Sequence, residues 1–155
     1  MKKMRLYVDT SVIGGCLDPE FSLGSLRVIQ AARDSRVILL ISDIVVREIR
    51  KAPPKVVSIL ETLPLDAVHD VPIDDEVQDL RDAYLQAGIL DRKWVDDATH
   101  VAAATVARAD AIVSWNFRHI VRLDKIKAYN QINLLQGYGV ITIVSPTEVV
   151  FDDDE

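Results

Sequence analysis

The sequence is poor in cysteine. One residue, Cys16, stands in 155, so no disulfide can form within the chain and no cysteine-based zinc site can be built. A reducing compartment suits such a chain. No run reaches the roughly 18 uncharged apolar residues that a membrane span needs. The basic start, Met1 to Arg5, leads into Tyr7, Val8 and Asp9 rather than an apolar signal core. The expectation is a soluble, cytoplasmic protein with no membrane contact. An excess of positive charge is also missing. Acids number 24 and bases 18, for a net −6. Asp152, Asp153, Asp154 and Glu155 carry four of those negatives, and without them the body is close to neutral. Such a body does not advertise nucleic-acid binding by its total charge, although local clustering of bases still permits it. There is no HxxEH, Walker loop, GxSxG or GxGxxG, so several common chemistries lack their signatures. There is no internal repeat and no linker.

What is present fits one globular domain. Apolar residues make up 49% and charged residues 27%, near the globular average, and this length holds one core without staples. Arg5–Asp9 reads as a strand ending on an aspartate. Thr10–Gly15 reads as a loop. Ser22–Arg33 has helical spacing, with Leu23, Leu26, Ile29 and Ala32 on one face. Val37–Ile41 is a continuous apolar run, as in a strand buried on both faces. Ser42 can cap a helix from Asp43 to about Lys51, and a second helix follows from Pro53 to Leu63. Its neighbour Ala67–Val71 is a weaker strand. Asp74–Ala87 is an amphipathic helix stopped by Gly88. Asp96–Ala109 is a helix with a small-residue stripe, Ala111–Ser114 a strand, Lys125–Leu135 a helix and Val140–Val144 a last strand. Ile44, Val45, Val46 and Ile49 are assigned to the core. Residues 1–150 form the domain, and residues 151–155 form a disordered acidic tail. The alternation predicts an α/β fold with a mostly parallel sheet, whose sites form at the carboxyl ends of strands.

Four places then draw attention. Asp9 ends the first strand. Glu48 lies on the helix after the second. Asp96 and Asp97 open the alanine-rich helix, and Asn116 follows the Ala111–Ser114 strand by two residues. In a parallel sheet all four can meet at one edge. Crowded carboxylates repel unless neutralised. Hard divalent cations do this with oxygen ligands, and two such ions about 4 Å apart can hold both reacting oxygens of a phosphodiester. Each residue also has a structural role open to it. Asp9 can start a turn, Asp96 and Asp97 can cap a helix, Glu48 can be a solvated charge, and Asn116 can be a turn residue. His100 reads as a hydrogen-bonding partner rather than a ligand. Trp94 and Trp115 can stack bases, with packing at the rim the simpler role.

These segments resemble the PIN-domain nucleases, and within them the VapC-like toxins of toxin–antitoxin pairs. "RLYVDTSVIGG" is similar to the family's first strand and catalytic aspartate, at Asp9. "SDIVVREI" is similar to the segment carrying its glutamate, at Glu48. "DDATHVAAATVARAD" resembles the family's D-A-x-H-I-A-x-A helix start, which puts the metal-binding aspartate at Asp97 and leaves Asp96 as a neighbouring or alternative ligand. "AIVSWNFRHIV" resembles the segment where the family has a fourth acid two positions after Ser or Thr; Asn116 stands there. The resemblance runs from Arg5 to about Val150.

It implies a three-layer α/β/α sandwich around a sheet of four or five strands. The implied activity is Mg²⁺- or Mn²⁺-dependent endonucleolytic cleavage of RNA, in which an activated water attacks phosphorus in line and a 3′-hydroxyl leaves. Asp9, Glu48 and Asp97 would be catalytic, and Asn116 and Asp96 would join them around the metal. Thr10, Ser114, Arg118, His119 and Arg122 would bind substrate, within a basic run that continues to Lys125 and Lys127. A neutral amide at Asn116 weakens a second metal site more than the first. The resemblance also implies a cognate antitoxin and a toxin homodimer. Three rivals remain open: an aspartate phosphotransferase, which would need an acid where Ser11 stands; a PIN-like RNA-binding module with weak or lost catalysis; and an RNA-processing or repair nuclease outside toxin–antitoxin biology.

Overall fold

The computed structural model describes residues 2–149 and 151. Five strands form one sheet: β1 (Met4–Val8), β2 (Val37–Ser42), β3 (Val68–Val71), β4 (Ala111–Val113) and β5 (Ile143–Val144), in the order β3-β2-β1-β4-β5. All four pairings are parallel. Among the described residues seven α-helices connect them: α1 (Thr10–Gly15), α2 (Ser22–Arg33), α3 (Asp43–Ile49), α4 (Pro54–Glu61), α5 (Asp75–Gln86), α6 (Val95–Val106) and α7 (Leu123–Leu135). No helix among the described residues is long and apolar enough to cross a membrane.

The pleat of the central strands divides the core. Leu6 and Val8 of β1, with Val37, Leu39 and Ile41 of β2, face one layer, shared with Val12, Ile13, Val28, Ile29, Val45 and Ile49. Tyr7 and Leu40 face the other, shared with Val77, Leu80, Tyr84, Ala98, Val101 and Ala102. A sheet covered on both faces needs apolar side chains at successive positions, and VILLIS supplies them. The result is the expected three-layer α/β/α sandwich.

Several elements differ from the sequence reading. Thr10–Gly15 is a helix, not a loop. Its glycine has a packing purpose, because a Cβ on Gly15 would stand 2.5 Å from Ser25 Oγ and 2.9 Å from Trp115 Nε1. Helix α2 is turned from its expected face. Leu23 and Leu26 are 79% and 45% exposed, while Gly24, Ser25 and Val28 are buried with Ile29, Ala31 and Ala32. The small residues admit the Trp115 indole, which donates to Ser25 Oγ at 2.8 Å and stacks on Phe21 at 4.5 Å between centroids. The last strand is shorter than Val140–Val144. The Asn130 amide takes up both backbone groups of Ile141, at 2.8 and 3.1 Å, in place of a ladder. Phe151, assigned to the tail, is buried in the core and lies under the guanidinium groups of Arg27 and Arg36. The rest of that tail, residues 152–155, lies outside the described residues.

Ser42 caps α3 as expected, and Asp74, expected as the first residue of its helix, is the cap of α5; they accept from Val45 N and Val77 N. Gly88 has a φ of +76°, the left-handed conformation that ends a helix without a Cβ clash. Ile44, Val45 and Ile49 are buried, with Val46 packed against them.

Candidate active site at the carboxyl edge of the sheet

Asp9 is the first residue beyond β1, and Ser114 the first beyond β4. These two strands are neighbours at the centre of the sheet, so their ends stand side by side. Helix α3 starts where β2 stops at this same edge. Helix α6 leads back down to β4, so its first turn, carrying Asp96 and Asp97, also sits here.

Asp9 is 4% exposed. Its Oδ1 accepts from Ser11 Oγ and its Oδ2 from Ser114 Oγ, both at 2.6 Å. Each serine is itself anchored: Ser11 Oγ accepts from Trp115 N at 2.9 Å, and Ser114 Oγ from Asn116 N at 2.9 Å. Both carboxylate oxygens are thereby held by hydroxyls that are themselves anchored on backbone N–H groups following β4. Burial pushes its pKa up, against the opposing pull of His100 and the two hydroxyls, while the charge of Asp97 pushes it further up.

Glu48 accepts from the His100 ring, with Nε2 2.9 Å from Oε1. Burial raises the Glu48 pKa, but the hydrogen bond and charge of His100 outweigh it and the net shift is downward. His100 is buried, and burial alone would lower its pKa. The Glu48 hydrogen bond and the charges of Asp9, Glu48 and Asp97 reverse that, so the net shift is upward. Thr10 Oγ1 is buried and forms no hydrogen bond of normal geometry, although its hydroxyl contributes to holding the Glu48 carboxyl down.

Asp97 contacts His119, Oδ2 to Nδ1 at 2.7 Å. The imidazole packs against Trp94 at 4.6 Å between centroids, and its carbonyl accepts from Tyr129 Oη. Asp96 is turned away from the edge into a pair with Arg47 at 2.9 Å, both about half exposed. Asn116 uses its amide oxygen to accept from His119 N at 2.9 Å, and its carbonyl takes Ile120 N and Val121 N. Its structural work is therefore a turn that presents His119 to Asp97. Arg118 lies over the Trp94 ring at 5.1 Å, and Arg122 pairs with Asp124 at 2.7 Å. Trp94 stands on the rim beside the acids, whereas Trp115 is an internal packing residue.

From sequence Ser42 reads as a helix cap, Ser11 as part of a turn after Asp9 and Tyr7 as a strand residue, and none of them as a partner of the acids. The turn after Asp9 brings the Ser11 hydroxyl back onto its carboxylate. Tyr7 reads as an ordinary strand residue, and only the fold shows what its hydroxyl meets.

The donor chemistry fits a hard cation. Asp9, Glu48 and Asp97 offer oxygen only, and their charges act on one another through His100 and directly. Among the described residues, however, no group of three or more His, Cys, Asp or Glu side chains stands close enough to hold a metal ion as placed. Mg²⁺ tolerates this, because it keeps several waters and uses one or two carboxylates.

No family model matches the chain, and no curated protein matches it. Solved structures do. A chain of the VapBC2 complex from Rickettsia felis, bound to a DNA fragment from its promoter, superposes with a TM-score of 0.56 at 12% identity, over 92% of this chain and 98% of that one. A chain of FitAcB from Neisseria gonorrhoeae gives 0.57 at 17%, over 93% and 99%. A chain of FitAB bound to the IR36 DNA fragment gives 0.56 at 15%, over 95% and 99%. At these identities the likeness is one of fold: the chain has the PIN-like fold, shared over almost its full length with chains of the VapBC and FitAB complexes.

Proposed function

We propose that the protein is a Mg²⁺- or Mn²⁺-dependent endoribonuclease and the toxin of a toxin–antitoxin pair. The observation that carries this reading is the buried Asp9 at the carboxyl edge of the central strands, clamped by two hydroxyls and facing the charge of Asp97, with Glu48 coupled to both through His100. A buried carboxylate with no structural salt bridge costs stability, and such a cost is commonly met at functional sites.

In this reading Asp9 and Asp97 hold the cation, with Glu48 completing its surroundings. When bound, the ion supplies Lewis-acid charge at the phosphodiester and lowers the pKa of a coordinated water. The chain supplies orientation. Ser11 and Ser114 fix the orientation of the Asp9 carboxylate, one on each oxygen, and His119 holds one oxygen of Asp97. Arg118 and the neighbouring bases offset the acidic floor where a phosphate approaches. For Arg122 that requires leaving Asp124. Thr10, whose buried hydroxyl helps hold down the Glu48 carboxyl, would meet a substrate oxygen only by leaving Glu48.

The solved complexes with a similar fold support a cognate antitoxin for this chain, and we include that partner and a homodimer in the proposal. A PIN-like RNA-binding module with weak or lost catalysis is the second reading. It is favoured by Asn116, whose oxygen is spent on His119 N. Incubation with a mixed pool of structured RNAs, with and without Mg²⁺ or Mn²⁺ and with cleavage sites mapped, separates the two. Cation-dependent cuts leaving 3′-hydroxyl ends support the nuclease. RNA retention without cuts supports the module.

A further inference from the structure

Glu48 is held from behind by a line of buried polar groups that no packing requirement explains. Ser42 Oγ lies 2.8 Å from Tyr7 Oη, Tyr7 Oη 2.7 Å from His100 Nδ1, and His100 Nε2 2.9 Å from Glu48 Oε1. Ser42, Tyr7 and His100 are almost wholly buried, and Glu48 is the one member that reaches solvent. The line draws one residue from each of four elements or their ends: β2, β1, α6 and α3. An apolar trio of similar shape would pack as well without three desolvated polar groups. Buried polar groups that are fully satisfied lock one arrangement.

We infer that Ser42, Tyr7 and His100 form a positioning relay whose purpose is to fix the carboxylate of Glu48 at the site. The directions of the bonds make the relay independent of the charge on the ring. With neutral imidazole, Ser42 donates to Tyr7, Tyr7 donates to Nδ1, and Nε2–H donates to Glu48. With the protonated ring, Nδ1–H donates to Tyr7, Tyr7 donates to Ser42, and Nε2–H still donates to Glu48. In both arrangements the last bond is the same. Ser42 also caps α3, accepting from Val45 N at 3.4 Å, so the helix bearing Glu48 is tied to the relay at both its start and its functional side chain. Partners of this kind orient a metal-site carboxylate, and losing one commonly costs about 10–100-fold in metal affinity or activity.

The relay rests on the reading of Glu48 as a site residue, so its test has one arm that needs no activity. In the cation-free protein, side-chain NMR relaxation of Glu48 is compared among wild type, Tyr7→Phe, His100→Gln and His100→Ala. Glu48 is ordered in wild type and in His100→Gln, which keeps a donor of similar reach. In Tyr7→Phe and His100→Ala its order parameter falls below about 0.6. Equal order in all four overturns the relay, whether or not the protein cleaves RNA. The second arm is a double-mutant cycle on cleavage. Tyr7→Phe lowers kcat about 10-fold or more with KM little changed, and costs nothing further in a Glu48→Gln background. Tyr7→Phe unfolds at a lower temperature in both backgrounds. An equal loss of kcat in both backgrounds marks a merely structural tyrosine and overturns the proposal.

Discussion

Asp9 is placed where an ionised carboxyl is least at home. Its oxygens meet two hydroxyls rather than a cationic side chain, and burial raises its pKa above the ordinary 3.8. The folded chain therefore holds this proton at pH values where the unfolded chain has released it. Stability from this group falls as pH rises from about 3.8 through the raised folded value. Asp9→Asn removes that loss. The variant should abolish cleavage yet melt at or above the wild-type temperature at pH 7, with a flatter melting profile as pH rises above 3.8. The His100–Glu48 pair behaves in the opposite sense at each end. The lowered Glu48 contributes stability that is lost as pH falls below 4.5 through its folded value, and the raised His100 contributes stability that is lost as pH rises above 6.5 through its own. Thermal melts of Glu48→Gln across pH should show both flanks weakened. Asp96, half exposed and paired with Arg47, should tolerate Asn with a change in stability of at most about 1 kcal/mol and little loss of cleavage. Asn116→Ala should cost about 1 kcal/mol by freeing His119 N, and Asn116→Asp should keep that hydrogen bond.

At the scale of elements, Trp115 organises one end of the molecule. Its indole fills the space between α1 and α2 that two glycines leave open. A Cβ on Gly24 would lie 2.9 Å from the ring carbons Cζ2 and Cη2. The ring is held by Ser25 and Phe21, so it cannot yield freely. Gly24→Ala should destabilise by about 1–3 kcal/mol in denaturant unfolding. Trp115 also sits between Ser114 and Asn116, so strain there should reach Asp9 through Ser11, and cleavage should fall with stability. These contacts explain what the sequence did not disclose. Glycines at positions 14 and 15 argued for a loop, and leucines at 23 and 26 argued for the inner face of α2. Close approach of an indole from a distant strand end overrode both cues. Where packing agreed with periodicity, as in β2 and α5, the elements fall within two residues of expectation.

The whole molecule explains why widely separated residues arrive at one edge of the sheet. With β1 and β4 adjacent at the centre, Asp9 and Ser114, 105 apart in sequence, arrive at one edge. Order along the chain put Asp9 at a strand end and Asp96 and Asp97 at a helix start, and the resemblance singled out Glu48 and Asp97 as candidates. It could not show that Asn116 turns inward to His119, that Asp96 turns out to Arg47, or that Tyr7 lies behind Glu48. Those depend on rotamers and on helix rotation. The core also reaches further along the chain than charge suggested. Phe151 closes it beneath Arg27 and Arg36, and Phe151→Ala should cost about 3 kcal/mol in unfolding free energy.

The central claim is that a cation held by Asp9 and Asp97 at this edge cuts RNA. It is tested most directly by measuring cleavage of one mapped RNA by wild type, Asp97→Asn and Asp96→Asn, each with Mg²⁺ and with chelator. The account predicts cleavage by wild type and Asp96→Asn only when Mg²⁺ is present, and none by Asp97→Asn. Cleavage in chelator, or by Asp97→Asn at the wild-type rate, would contradict it.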